Sequence, residues 1–184
     1  MGPLRHDPRG GRRVSEAAPL GAVRRSHFLA GFLTLVLTGA LDQIHKWWMI
    51  EVYRIGEKGR VRVTPFLDLV YVQNKGISYS LLDGLGQGPL IAVAVLAMLA
   101  LLVWIARAEN RPLAVSLGLI AGGAVGNAVD RVRLGGVADF FLFYIKDVFS
   151  WYVFNLADVA IVAGVVGLLY EYWSENRKNA GKST

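Results

Sequence analysis

Apolar residues fall into four long blocks along the chain, at 28–44, 89–106, 112–129 and 154–172. A helix needs about 20 apolar residues, within roughly 17–25, to cross the hydrocarbon of a bilayer. Each block meets or nearly meets that length, so the pattern predicts four membrane-spanning helices. Between the first two blocks the period changes. In Arg60–Leu82, the residues Val61, Val63, Phe66, Leu69, Tyr71 and Ile77 partly alternate with polar ones, which favours strands. Pro65 suits a strand edge or bulge, and Asn74-Lys75-Gly76 reads as a turn. The pattern alone favours a small amphipathic sheet resting on the membrane surface. A sheet forming the wall of a site completed by the helices is the sharper alternative.

Composition agrees with a membrane class. The 184 residues are 54% hydrophobic, and the mean hydropathy is +0.41. That leaves little room for a separate soluble domain. The expected organisation is a disordered basic tail over 1–27, a four-helix domain over 28–173 with an extramembrane β segment at about 55–85, and a short tail over 174–184. The net charge of +6 would suit nucleic acid in a soluble protein. Beside apolar spans, basic residues instead set topology or touch anionic lipid, so no nucleic-acid partner is expected. With no cysteine, the chain has neither disulfides nor a cysteine nucleophile.

The basic residues also orient the chain. Arg5, Arg9, Arg12, Arg13, Arg24 and Arg25 precede the first span, Arg107 and Arg111 join the second to the third, and Arg177, Lys178 and Lys182 follow the fourth. The bias over all loops is weak. The first span usually dominates, and its strongly basic leading flank predicts both termini on the cytoplasmic side. Arg24–Leu29 has some likeness to a twin-arginine export signal. The apolar run after it ends in Leu-Asp-Gln-Ile-His-Lys-Trp-Trp rather than in small residues, so a retained first helix is the favoured reading.

Several polar residues interrupt the oil. Asp42 and Lys46 share a helix face and read as a neutralising, snorkelling pair that ends the first span; Gln43 and His45 lie between them. The third span closes with Gly122, Gly123 and Gly126, which allow close helix packing, and with Asn127, Asp130 and Arg131. Asp139 follows in the next connection. Asn155 and Asp158 share a face of the fourth helix, with Asp158 about one turn, roughly 6 Å, into it. Under this topology Asp139 and Asp158 can converge near the outer surface. An ionised Asp at mid-bilayer costs about 2.5–3.5 kcal/mol, less near the interface. Two adjacent carboxylates avoid double ionisation by sharing a proton. Such a pair can serve proton or ion transport, hydrolysis, or structure alone, and chemistry by itself leaves all three open. His6, His27 and His45 lack zinc-site spacing, so no metal is expected.

Five stretches in order decide more. Asp42-Gln43-Ile44-His45-Lys46, the 63–82 segment with Asn74-Lys75-Gly76, Gly126-Asn127-Ala128-Val129-Asp130-Arg131, Val137-Ala138-Asp139-Phe140 and Phe154-Asn155-Leu156-Ala157-Asp158 together resemble the motifs of the lipoprotein signal peptidase (signal peptidase II) family, over about Leu41–Tyr170. The resemblance implies a four-helix inner-membrane aspartic endopeptidase of bacteria, without cofactor. It would cut prolipoprotein signal peptides just before a diacylglyceryl-modified cysteine. It implies Asp139 and Asp158 as the catalytic pair, and Asn74, Asn127, Arg131 and Asn155 as site support or substrate contacts. Asp130 would hold Arg131 or the end of the third helix, and Asp42 with Lys46 would form a structural polar pair. Lipidated precursors and membrane lipid are the implied partners of a monomeric enzyme. Ile77, Tyr79 and Asp68 depart from the family's usual Ala, Phe and Asn, which bears on substrate preference. The rival reading is a small proton- or ion-coupled transporter. A presenilin-type protease has no support, since no Gly-x-Gly-Asp stretch occurs.

Overall fold

The computed structural model describes residues 20–76, 88–145 and 148–180. Four long helices carry the fold: α1 (Leu20–Trp47), α3 (Gly88–Ala106), α4 (Arg111–Leu134) and α5 (Leu156–Ala180). A π-helical turn, Trp48–Val52, and the short helix α2 (Ile55–Lys58) lead from α1 into strand β1 (Val61–Thr64). Strand β2 (Leu67–Asn74) precedes α3, and β3 (Val137–Ile145) and β4 (Phe149–Ser150) join α4 to α5.

The helices at Val23–Val52, Gly88–Ala106, Arg111–Leu134 and Leu156–Lys178 are long and apolar enough to cross a membrane, as the apolar blocks predict. Their ends differ from the predicted ones in ways that matter for function. The first helix starts at Leu20 and ends at Trp47 with Lys46 in its last turn, after which a π-helical turn continues the rod to Val52. Helix α4 continues past Val129 to Leu134, where Gly135 in the left-handed region (φ 71°) stops it. Its start is fixed by the Asn110 side chain, which accepts the Leu113 amide at 2.7 Å. Helix α5 begins only at Leu156.

Helix α4 is the centre of the bundle, packed against α1, α3 and α5, and glycines set the distances. A Cβ on Gly122 would lie 2.6 Å from the Leu35 carbonyl oxygen of α1, and one on Gly123 would lie 2.5 Å from that of Ala157 on α5. Such approach requires hydrogen at those positions, in line with the packing role expected of small residues. Large apolar side chains such as Leu37, Leu41, Leu96 and Leu169 face outward.

The strands form one antiparallel sheet in the order β1-β2-β3-β4, with Val72 opposite Asp139 and Asn74 opposite Val137. Bulges fall between Arg62 and Thr64 and between Leu69 and Val72, and Pro65 lies between β1 and β2. Two strands lie between the first two spans, as expected, and two more from the α4–α5 connection extend the same sheet. Asp139 lies in the connection between the third and fourth spans, as expected, and there it sits on a central strand. The run Val-Ala-Asp-Phe-Phe-Leu-Phe-Tyr-Ile does not alternate because β3 is covered at its start. Ala138 and Phe140 pack in a core with Met49 and Ile55, and a short buried apolar run cannot be told from helix by periodicity. Ile77, Tyr79 and Leu82 lie outside the described residues.

Candidate active site

The site forms where β3 meets the start of α5. Phe141 and Phe154 make an antiparallel bridge, with the Phe154 amide donating to Phe141 O at 3.0 Å and the Phe141 amide to Phe154 O at 2.9 Å. This pairing delivers Asn155 beside Asp139. Asn155 is also the N-cap of α5. Its Oδ1 accepts the Asp158 amide at 3.0 Å, while Asp158 Oδ2 accepts the Asn155 amide at 3.1 Å. This is a reciprocal capping box with Asn and Asp in place of the commoner Ser/Thr and Glu/Gln. Asp158 therefore lies in the first turn of α5, shallower than expected, where the helix N-terminus favours negative charge.

Every oxygen of the two carboxylates receives an N–H. Asp139 Oδ1 accepts Asn155 Nδ2 at 2.7 Å, and its Oδ2 accepts Asn74 Nδ2 at 3.2 Å. Asp158 Oδ1 accepts Asn127 Nδ2 at 2.9 Å. Asn74 is held by its own turn, its Oδ1 accepting the Gly76 amide at 3.0 Å, with Gly76 at φ 102°. Burial pushes the Asp139 carboxyl up to about 6 from 3.8. The amides of Asn155 and Asn74 oppose that shift, the charge of Asp158 adds to it, and Lys46 opposes it more distantly. Asp139 thus opens onto a cleft of about 440 Å³, lined by Val72, Gln73, Asn74, Lys75, Gly76, Tyr152 and Val153, as a carboxyl able to carry a proton near neutrality.

A second storey lies below this pair. Lys46, buried with Asp42 and Asp130, reaches Asp42 Oδ2 at 2.8 Å, Asp130 Oδ2 at 2.7 Å and Asn127 Oδ1 at 3.1 Å. Asp42 Oδ1 accepts the Ala157 amide at 3.0 Å, and Asp130 Oδ2 accepts the Ala138 amide at 3.1 Å. Each of these carboxylates therefore grips the backbone immediately before one member of the upper pair. Gly126 makes room for Asp42, whose Oδ2 would lie 2.4 Å from a Cβ there.

One expectation is corrected by this geometry and two are narrowed. Asp42 and Lys46 are not a snorkelling pair, since both are buried within the bundle. Asp130 engages Lys46 and β3 rather than Arg131. Arg131 donates to the Asn127 carbonyl at 3.3 Å, and its Nε is buried without a partner among the described residues, so it does not reach either carboxylate of the pair. Asp68, a departure from the family pattern, binds Arg60 and the Tyr144 hydroxyl on the sheet, away from the cleft. Sequence reasoning passed over Gln43, whose Nε2 donates to Asp130 Oδ1 and Gly126 O, each at 3.0 Å. Its place next to Asp42 was the available signal. It also passed over Tyr152 and Gln73, which nothing in their local sequence marks out as cleft-lining.

Four membrane-length helices and a sheet that bring together two aspartates, Asp139 on β3 and Asp158 at the start of α5, define a multi-pass membrane protein with a carboxylate-pair site. The model of the family Signal peptidase (SPase) II matches residues 34–174. A lipoprotein signal peptidase of Beijerinckia indica subsp. indica is 51% identical over 146 residues, covering 78% of this chain and 84% of the relative. One from Methylobacterium sp. (strain 4-46) is 49% identical over 156 residues, covering 83% and 94%. A bacterial membrane enzyme solved by the in meso method superposes with a TM-score of 0.67 at 26% identity, over 79% of this chain and 88% of that one. The chain belongs to the signal peptidase II family of aspartic peptidases.

Proposed function

We propose that this peptidase removes the signal peptide from diacylglyceryl-modified prolipoproteins, cutting just before the lipidated cysteine, with Asp139 and Asp158 as its catalytic groups. The relatives' name, lipoprotein signal peptidase, supports the substrate class. Membership of a peptidase family favours hydrolysis over the transport that carboxylates in a membrane could also serve. The observation that carries the catalytic reading is that the side-chain amides of Asn74, Asn127 and Asn155 and one backbone N–H donate to the pair while Asp139 is pushed up to about 6, so one proton can be shared between the two.

In this mechanism the ionised carboxylate takes a proton from water as the oxygen attacks the scissile carbonyl. The protonated one donates to the developing oxyanion. Collapse of the tetrahedral intermediate re-forms the C=O bond, breaks the C–N bond and passes a proton to the departing amine of the cysteine. Asn74, Asn127 and Asn155 hold the carboxylates by their side chains, and Arg131 is left as a candidate substrate contact. All these groups come from one chain, consistent with a monomer whose substrate's acyl chains lie in membrane lipid against the apolar helix faces.

The pair lies at the end of the bundle opposite Arg24, Arg25, Arg177 and Lys178. With those basic ends on the cytoplasmic side of a bacterial inner membrane, the site faces the outer, periplasmic side. Reconstitution with a purified diacylglyceryl-modified precursor tests the reaction: wild type should cleave it, and Asp139→Asn and Asp158→Asn, each folded, should leave it intact. Cleavage at wild-type rate by either variant would end the dyad reading. The chain lacks cysteine, so single cysteines at position 76 or 178 can report sidedness to an impermeant thiol reagent. Labelling of position 178 from outside intact cells would overturn the orientation.

A further inference from the structure

The upper aspartates need more than hydrogen bonds; they need the right atoms turned toward them. A side-chain amide can present its oxygen or its NH₂ to a neighbour, and an amide that turned its oxygen to a carboxylate would repel it. Asn127 lies between Lys46 and Asp158. The ammonium of Lys46 has three N–H groups and no acceptor capacity, and three oxygens meet it: Asp42 Oδ2, Asp130 Oδ2 and Asn127 Oδ1. Asn127 must therefore turn its oxygen to Lys46 and its NH₂ to Asp158. That same oxygen also accepts Asn155 Nδ2 at 3.0 Å, which reinforces the second amide, whose oxygen holds the Asp158 N–H and whose Nδ2 reaches Asp139. The direction of the Asn127 amide follows from one ammonium, and that ammonium supports the direction of Asn155.

Lys46 also sets spacing. It draws Asp42 and Asp130 together, and they in turn hold the amides of Ala157 and Ala138, the residues preceding Asp158 and Asp139. We propose that Lys46, which touches neither member of the pair, is the positioning residue of this active site: it fixes both the direction of the Asn127 amide that holds Asp158 and the distance between the strands of chain that carry the two aspartates. This rests on the catalytic reading of Asp139 and Asp158. It reassigns Lys46 from a residue that ends a span to one that prepares the reacting groups.

The test uses full-length protein in nanodiscs with the diacylglyceryl-modified precursor. Lys46→Met combined with Asp42→Asn keeps the charge of the cluster unchanged, and the new Asn retains an oxygen for the Ala157 amide. Asp42→Asn alone is the control. In the folded double variant, kcat should fall about 100-fold, the scale of a 1 Å misplacement of reacting groups, with KM within about threefold of the control. Its pH–rate profile should move up by at least about half a unit, because a carboxylate deprived of an N–H donor keeps its proton longer. A purely structural Lys46 would lower the melting temperature and leave the kcat and the profile of the folded fraction unchanged; that result overturns the proposal. If Asp139→Asn and Asp158→Asn also cleave normally, the catalytic reading has failed first. A measurement on the unaltered protein stands apart from folding of variants. The ¹⁵N-labelled side-chain amide of Asn127 should shift with the titration of the aspartate pair, and an amide signal blind to pH from 4 to about 8, spanning the ordinary and raised carboxyl ranges, would also overturn it.

Discussion

Two pairs of aspartates sit one above the other, and their partners make them different groups. Asp42 and Asp130 flank an ammonium, with backbone amides and the Gln43 side chain completing their contacts. Asp139 and Asp158 accept neutral N–H donors, from three asparagine side chains and one backbone amide. A cation compensates the lower charges outright, so that pair can serve as fixed struts. Neutral donors support a carboxylate without demanding that it stay ionised, so the upper pair can exchange a proton with water and substrate. The same residue type becomes structure in one place and reagent in the other because of the partner, and the two are connected through Lys46 and Asn127.

The contrast can be broken at either level. Asp158→Asn or Asp139→Asn should lower cleavage by at least about 100-fold, the range of a lost general acid or base, while the melting temperature at neutral pH stays level or rises. Asp130→Ala leaves a buried ammonium with one carboxylate fewer and should cost about 3–5 kcal/mol of stability, read as an early denaturation midpoint and poor yield. A stable, well-expressed Asp130→Ala protein would mean the lower pair is not a strut. Asn155→Ala removes the cap of α5 and a donor to Asp139, which should cost about 1–2 kcal/mol in melting experiments.

The smallest effect is in the pH dependence of stability. The Asp139 carboxyl titrates near 6 in the folded protein and near 3.8 otherwise. Between those values the folded state binds more protons than the unfolded, so the contribution is fully present below 3.8 and is lost as pH rises through 6. With solvent reaching the cleft, the loss should be about 2 kcal/mol or less. Melting temperature should decline across that window in wild type and decline less in Asp139→Asn. Equal slopes would show that Asp139 is not the group under strain.

Much of this was legible from residue order. Block lengths give the four helices, and the five motifs mark Asp139 and Asp158 although 18 other residues separate them in the chain. What escaped is three-dimensional pairing. Nothing in the aromatic run of β3 says that it will lie beside β2, because a strand covered on its faces loses alternation. Asp42 and Lys46 look like the end of a span because a hydropathy pattern registers charge but not the partner that compensates it. Here the partner, Asp130, comes from another helix. Arg131 next to Asp130 suggested a local ion pair, whereas the helix turns the two side chains to different neighbours.

Each upper aspartate is fixed through the residue just before it, Ala138 by Asp130 and Ala157 by Asp42. The chain from Phe140 to Phe154 is therefore relieved of setting how far apart the two carboxylates stand. Chain beyond the pairing of Ile145 with Phe149 can therefore differ between such enzymes without moving either carboxylate. A single residue inserted between Asn155 and Asp158, by contrast, would undo the cap and the site together. Variation among enzymes built this way should collect at the tip of that hairpin and stop abruptly at its two roots.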